Sequence, residues 1–263
     1  MSLFVVSTPI GHPKDITLRA LDILKESDLV IGEERSEVSR FLKSLGLSEK
    51  PFELLNEHSR PEDVSALAES CKTKRVALVS DCGTPGFCDP GADLVSACRR
   101  QGVAVTAIPG ASSLMALLSV SGRRLRDFVF VGFLPPDAES RTEAVQKLAR
   151  EPRPCFVMDT PYRLAKTMRE LAAAMPSREA VLGLDLTQET ELVLDGTLKD
   201  LADQVTERKA EFVLMIGPAE GAVGSSERFA HRRPRDARGF KPREGRRPFG
   251  RAHKPARRNK DRR

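Results

Sequence analysis

Ser80-Asp81-Cys82-Gly83-Thr84-Pro85-Gly86-Phe87-Cys88-Asp89-Pro90-Gly91 follows the apolar run of residues 75–79 and precedes residues 92–98, whose apolar spacing is helical. The run before it reads as a buried strand. A loop with three glycines, two prolines and two aspartates therefore stands at the carboxyl end of a strand. In an open α/β sheet that edge is where ligands bind. Glycines permit close backbone approach, prolines limit movement, and aspartates accept hydrogen bonds from hydroxyls or amines. The same residues also suit a plain turn rich in chain breakers.

Strand and helix signals alternate on both sides of this loop. Residues 3–7 read as a strand, followed by a loop at 8–13 and a helix that Asp15 would cap, with Leu18, Leu21, Ile23 and Leu24 inward. Residues 28–31 and 52–55 read as strands. A helix carrying Val38, Phe41, Leu42 and Leu45 lies between them, and one over 61–71 follows. Residues 103–108 form the next strand and run into Pro109-Gly110-Ala111-Ser112-Ser113, which opens a further helix. Such alternation with short connections predicts a mostly parallel sheet covered on both faces, over residues 1–122. Residues 123–127, Arg-Arg-Leu-Arg-Asp, read as a surface linker.

A second α/β unit is predicted over 128–218. It has strands at 128–133, 154–158, 180–186, 191–194 and 212–216 and helices at 140–149, 164–174 and 198–205. Their uneven order predicts a mixed sheet with some antiparallel pairing.

Charge divides the chain differently. Residues 225–263 hold 16 Lys and Arg against 4 Asp and Glu, a net +12, which leaves −6 for the remainder of a chain whose total is +6. From 221 onward Arg, Gly and Pro dominate. Too little apolar surface is available there to offset ordering entropy, so 221–263 is read as a disordered basic tail. Pairs such as Arg232–Arg233, Arg246–Arg247 and Arg257–Arg258 suit phosphate neutralisation, and Phe229, Phe240 and Phe249 among them suit stacking on unpaired bases. A solubilising tail is the alternative.

No apolar run is long enough to span a bilayer, so no membrane partner is expected. The apolar start, Leu3-Phe4-Val5-Val6, meets Pro9 and Gly11 at once, unlike a signal peptide. The five cysteines, Cys71, Cys82, Cys88, Cys98 and Cys155, include no Cys-x-x-Cys pair, which predicts a reducing, cytoplasmic setting and no zinc site. Phosphate-loop, Gly-x-Gly-x-x-Gly, Gly-x-Ser-x-Gly and His-Glu-x-x-His patterns are missing. What remains is a set of polar and glycine-rich loops at presumed strand ends: 7–13, 33–36, 56–59, 80–91 and 110–113. They line one sheet edge and suit a small polar ligand.

Thr8-Pro9-Ile10-Gly11, Asp15-Ile16-Thr17-Leu18-Arg19-Ala20, Ser80-Asp81-x-Gly83-Thr84-Pro85-Gly86-x-x-Asp89-Pro90-Gly91, Pro109-Gly110 and Gly132-Phe133-Leu134-Pro135 follow one another in this order. With these motifs the chain resembles the tetrapyrrole methylase superfamily, the class III S-adenosylmethionine methyltransferases. Within it, the chain is most similar to the bacterial 16S ribosomal RNA cytidine 2′-O-ribose methyltransferases. The resemblance spans about residues 3–217. It implies two α/β domains with S-adenosylmethionine in the cleft between them, a homodimer, and ribosomal RNA or the small ribosomal subunit as partner. It places Pro9 beside the cofactor, Asp81, Gly83 and Thr84 in its main loop, and Ala111 and Ser112 on its adenosine or methionine part. Met158, Leu186 and Thr187 would close over the adenine.

Three motifs depart from the pattern. The family's Glu-Asp-Thr-Arg stands as Glu33-Glu34-Arg35-Ser36, its Tyr-Glu-Ser-Pro-His-Arg as Met158-Asp159-Thr160-Pro161-Tyr162-Arg163, and its Arg-Glu-Leu-Thr-Lys as Leu184-Asp185-Leu186-Thr187-Gln188. Two cationic positions are thus neutral, which leaves phosphate contact to Arg35, Arg163 and the tail, or changes the substrate. A ribose hydroxyl is a weak nucleophile, so a base would help. Glu33 is the first choice; His58, Glu34 and Asp89 are the others. A helix-start carboxylate that favours the dipole is the alternative role for Glu33. Methylation of a tetrapyrrole-like small molecule, and RNA binding without catalysis, are the competing functions.

Overall fold

The computed structural model describes residues 1–86, 91–219 and Phe229. The first sheet comprises β1 (Ser2–Val6), β2 (Leu29–Gly32), β3 (Phe52–Leu54), β4 (Arg75–Leu78) and β5 (Ala104–Ile108). Its order is β3-β2-β4-β1-β5 and every pairing is parallel. Alternation along each strand sets the two faces. In β4, Val76 and Leu78 join Leu29 and Ile31 under α3 (Pro61–Thr73) and α4 (Ala92–Arg100). Ala77 and Val79 join Val30 under α1 (Leu18–Glu26) and α2 (Arg35–Ser44). A sheet buried on both faces needs apolar residues at nearly every position, which is what these strands carry.

The second sheet comprises β6 (Val129–Phe133), β7 (Cys155–Asp159), β8 (Glu179–Leu184), β9 (Leu192–Thr197) and β10 (Phe212–Ile216), in the order β6-β7-β10-β8-β9. Only the β6–β7 pairing is parallel among the described residues. Cys155 and Val157 face α6 (Ala138–Arg150), α7 (Leu164–Ala174) and α8 (Leu198–Gln204). Phe156 and Met158 face the other way, onto Leu114 and Leu117 of α5 (Ser113–Val120) and Ile10 of the first sheet's loop. The helix that follows β5 thus covers the second sheet, and both sheets fall within one unit of the chain.

Four expectations need correction. Asp15 does not cap α1: it lies in a 3-10 turn (Pro13–Asp15), and Thr17 caps instead, its hydroxyl accepting from Ala20 N at 3.1 Å. Thr17→Ala should therefore cost about 1 kcal/mol in urea unfolding, and Asp15→Ala less than about 0.5 kcal/mol. Leu18 is 83% exposed rather than inward. It starts the helix and lies about 200° around it from the buried Ala20. The linker is not wholly superficial: the Arg123 side chain is buried, bonds Asp195 Oδ1 at 2.5 Å and lies over the Phe229 ring at 4.9 Å. Phe229, read as a base-stacking residue of the tail, is 2% exposed among Phe156, Val181 and Met215. The other tail residues, including Arg232, Arg233, Arg246, Arg247, Arg257 and Arg258, lie outside the described residues.

Candidate functional site

β1 and β4 are neighbours at the centre of the first sheet, and their chains leave on opposite faces, toward α1 and α4 respectively. Such divergence opens a crevice beyond the carboxyl ends of the two strands. The loops there are stitched together. Thr8 N donates to Gly83 O at 2.8 Å, and the Thr8 hydroxyl donates to Ser80 O at 3.2 Å. Ser7 Oγ lies 3.0 Å from Thr84 Oγ1, whose hydroxyl donates to Ala111 O at 3.2 Å. Gly83 has φ +82°, a left-handed conformation that a side chain would strain. It is buried against Ile10 and Ala111. Pro9 and Ser112 are half-buried in the same knot, and Asp81 and Thr84 are exposed beside it.

The second sheet closes on this knot. Gly11 packs so tightly that a Cβ there would fall 2.6 Å from Leu186 O and 2.7 Å from Thr187 Oγ1. His12 N donates to Thr187 Oγ1 at 2.9 Å. Asp185 (φ +47°) and Thr187 (φ +66°) hold left-handed backbone, uncommon for residues other than glycine. Asp185 is fixed twice to the start of β10: its N–H donates to Glu211 O at 2.8 Å, and its Oδ1 accepts from Glu211 N at 3.1 Å. This over-determined turn carries Leu186 onto the first sheet's loops.

Between the two lies a cavity lined by Ile10, Cys82, Ser113, Met158, Gly183, Leu186, Glu211, Phe212 and Val213. Its walls are mostly apolar, with one carboxylate at the edge. Burial and then the charge of Asp185 push the Glu211 carboxyl above its ordinary range. Desolvation, then Glu211 and Asp81, push the Cys82 thiol up to about 11, so it stays protonated near neutral pH. An apolar slot with a single carboxylate suits a flat, weakly polar group that also presents a donor or a cation. With about 60 Å³ of free volume the slot takes one edge of such a group, as the adenine edge or the sulfonium end of S-adenosylmethionine would present, and not the whole molecule.

Of the residues the sequence singles out, Met158 and Leu186 line this cavity, Gly83, Thr84, Ala111 and Thr187 join its walls through the contacts above, and Pro9 and Ser112 are half-buried in the adjoining loops. Glu33 follows β2, two residues past the register pair Ile31↔Leu78 and so level with Ser80 on the same sheet edge. His58 is not brought to the cavity. It follows the outer strand β3, its side chain is 85% exposed, and it lines a separate depression with Glu53, Asn56 and Asp63. Arg35 is exposed, its guanidinium 5.4 Å from the Phe52 ring centre. Arg163 is half-buried, with NH1 3.4 Å from Asp159 Oδ1. Asp89 lies outside the described residues.

Sequence reading missed Ile10, Gly11, Cys82, Ser113, Gly183 and Glu211. Cys82 sits inside the opening loop and Gly11 inside a quoted motif, so position signalled both. Glu211 carried no local signal: it immediately precedes β10, and reaches the site because β10 runs antiparallel to β7 and β8.

Residues 2–202 match the sequence model of the tetrapyrrole (corrin/porphyrin) methylases. Proteins named ribosomal RNA small subunit methyltransferase I are similar along most of their length. That of Xylella fastidiosa is 40% identical over 82% of this chain and 81% of its own, and that of Leptospira biflexa 37% over 81% and 90%. Among solved structures, a diphthine synthase superposes with a TM-score of 0.66 at 19% identity, over 83% of this chain and 90% of its own. Uroporphyrin-III C-methyl transferase from Thermus thermophilus, complexed with S-adenyl homocysteine, superposes at 0.58 and 20% identity, over 82% and 97%. This chain belongs to the tetrapyrrole methylase family.

Proposed function

We propose that this chain transfers a methyl group from S-adenosylmethionine to a ribose 2′-hydroxyl of small-subunit ribosomal RNA. The observation that carries the reading is the apolar cavity lined by Ile10, Cys82, Met158, Leu186 and Glu211, in a chain whose similar relatives are named as ribosomal RNA methyltransferases. When bound, S-adenosylmethionine supplies a methyl group on a sulfonium whose leaving group needs no acid. The protein's work is therefore orientation and exclusion of water. Gly83, Thr84, Ala111 and Ser112, with Pro9 and Asp81, form the rigid wall on the first sheet. Met158, Leu186 and Thr187 form the opposite wall. Glu33, on the shared sheet edge, takes the proton from the ribose hydroxyl. Arg35 and Arg163 hold phosphates, and the arginines of the tail add affinity that does not depend on sequence.

Mapping 2′-O-methylation on small-subunit ribosomal RNA from cells with and without this gene tests the reading. One modified ribose should disappear; an unchanged map would remove it. Shortening the chain after residue 231 keeps Phe229 in its buried seat. RNA affinity should then fall, and the slope of log affinity against log salt should flatten by about 0.7 for each phosphate the tail neutralises in the full-length chain. Affinity for S-adenosylhomocysteine should stay within about twofold. Equal loss of both ligands would contradict this division of labour.

A further inference from the structure

Tyr162 is the chain's single tyrosine, the chain has no tryptophan, and this ring is left 80% exposed. Its backbone is not loose. It occupies a 3-10 turn (Pro161–Arg163) between β7 and α7, with proline at the first position. Arg163 N donates to Thr160 O at 2.9 Å, and the Arg163 guanidinium reaches the buried Asp159 at the end of β7. Lys209, also exposed, places its ammonium 5.2 Å from the Tyr162 ring centre.

Strand pairing explains why the two residues meet. β7 and β10 are antiparallel with Phe212 opposite Asp159. Tyr162 and Lys209 each stand three residues beyond that pair, off the same sheet edge. Met158 and Val213, the next pair inward, line the cavity with Glu211 and Phe212. An exposed aromatic ring with a cation over it therefore stands off the same edge of the second sheet that carries Met158, Phe212 and Val213 into the cavity. Every base has a face that can stack on such a ring, and the adjoining cation favours the strand's phosphates.

We propose that Tyr162, with Lys209 beside it, is the platform on which an unpaired base of the RNA acceptor strand stacks next to the cavity. Stacking on the open face of the ring holds one nucleotide while the neighbouring ribose reaches the cavity. The proposal rests on the RNA reading above and names a contact on this chain for that substrate.

The composition provides a direct test. With no tryptophan, the full-length chain's intrinsic emission is dominated by Tyr162. A dye-labelled single-stranded oligoribonucleotide is titrated in, with its binding followed by anisotropy and tyrosine emission corrected against N-acetyltyrosinamide. Emission should fall by roughly half or more as the RNA binds. An abasic oligomer of equal length and charge should bind through its phosphates and leave emission unchanged. In methyl transfer to small ribosomal subunits from cells without the gene, Tyr162→Ala should raise KM about tenfold. Tyr162→Phe should behave as wild type, and affinity for S-adenosylhomocysteine should stay within about twofold for both. Unchanged emission on RNA binding, equal quenching by the abasic oligomer, or a wild-type KM for Tyr162→Ala would each overturn the proposal. Base-dependent quenching without any methyl transfer by the wild-type chain would sustain the platform and remove the methyltransferase reading instead.

Discussion

Arg141→Met is expected to cost about 3 kcal/mol or more of stability and to lower Tm by roughly 6–12 °C. Asp159 is the reason. Its side chain is 0% exposed at the end of β7. Arg141 NH1 and NH2 both donate to its Oδ2 at 3.1 Å. The same guanidinium donates to Thr167 Oγ1 at 2.6 Å, to Glu170 Oε2 at 2.6 Å and to the carbonyls of Leu134 and Pro135. Methionine fills similar space but leaves a buried carboxylate without its main counter-charge. Breaking one side of a buried pair costs about 3–5 kcal/mol, much more than the intact pair contributes. Arg163 and the Thr167 hydroxyl still reach Asp159, which sets the expectation at the lower end of that range. The double variant Arg141→Met/Asp159→Leu removes both charges and should recover most of the loss. Urea unfolding and calorimetry measure both. A loss under about 1 kcal/mol for the single variant would mean that water solvates Asp159 once the arginine is gone.

Gly11→Ala should leave the sheets folded and weaken S-adenosylhomocysteine binding about ten- to a hundredfold. The new methyl would meet Leu186 O at 2.6 Å, a backbone atom in a turn whose positive-φ residues cannot easily give way. Relief requires moving either the loop after β1 or the turn after β8. Both close the cavity, and Leu186 lines it directly. Overpacking of this kind costs about 1–3 kcal/mol, and here it falls on the closed arrangement that holds the ligand. Titration calorimetry decides the matter. A dissociation constant within twofold of wild type would show that the two sheets need not approach this closely for the ligand to bind.

The elements of this protein were legible in its sequence because periodicity is local. The strand over residues 212–216 and the helix over 164–174 match their observed bounds, since apolar spacing and a flanking proline or glycine are enough to mark each. The first sheet's parallel character followed from short strand–helix connections, and the pairing bears it out. Helix faces were less secure: Leu18 is apolar but lies off the stripe that Ala20 and Leu24 bury, and its residue type alone does not tell which side of the helix meets the sheet.

Composition misled in one place and burial reversed it. The basic segment has too few apolar residues to form a core of its own, yet one of them, Phe229, joins an existing core against Gly217 and under Arg123. A window of sequence contains the segment's own residues and not the surface it meets.

Sequence alone determined the α/β alternation, the glycine and proline loop after β4, and the family those motifs mark, because each depends on neighbours in the chain. Tertiary structure alone decided that Glu211 borders the cavity, that His58 stands apart from it, and that Tyr162 meets Lys209. Those outcomes depend on which strands lie side by side and in which direction. The register of β10 against β7 and β8 joins residues more than fifty positions apart in the first case and more than twenty-five in the second. Pairing at that range is selected by the burial of whole faces, which no local pattern encodes.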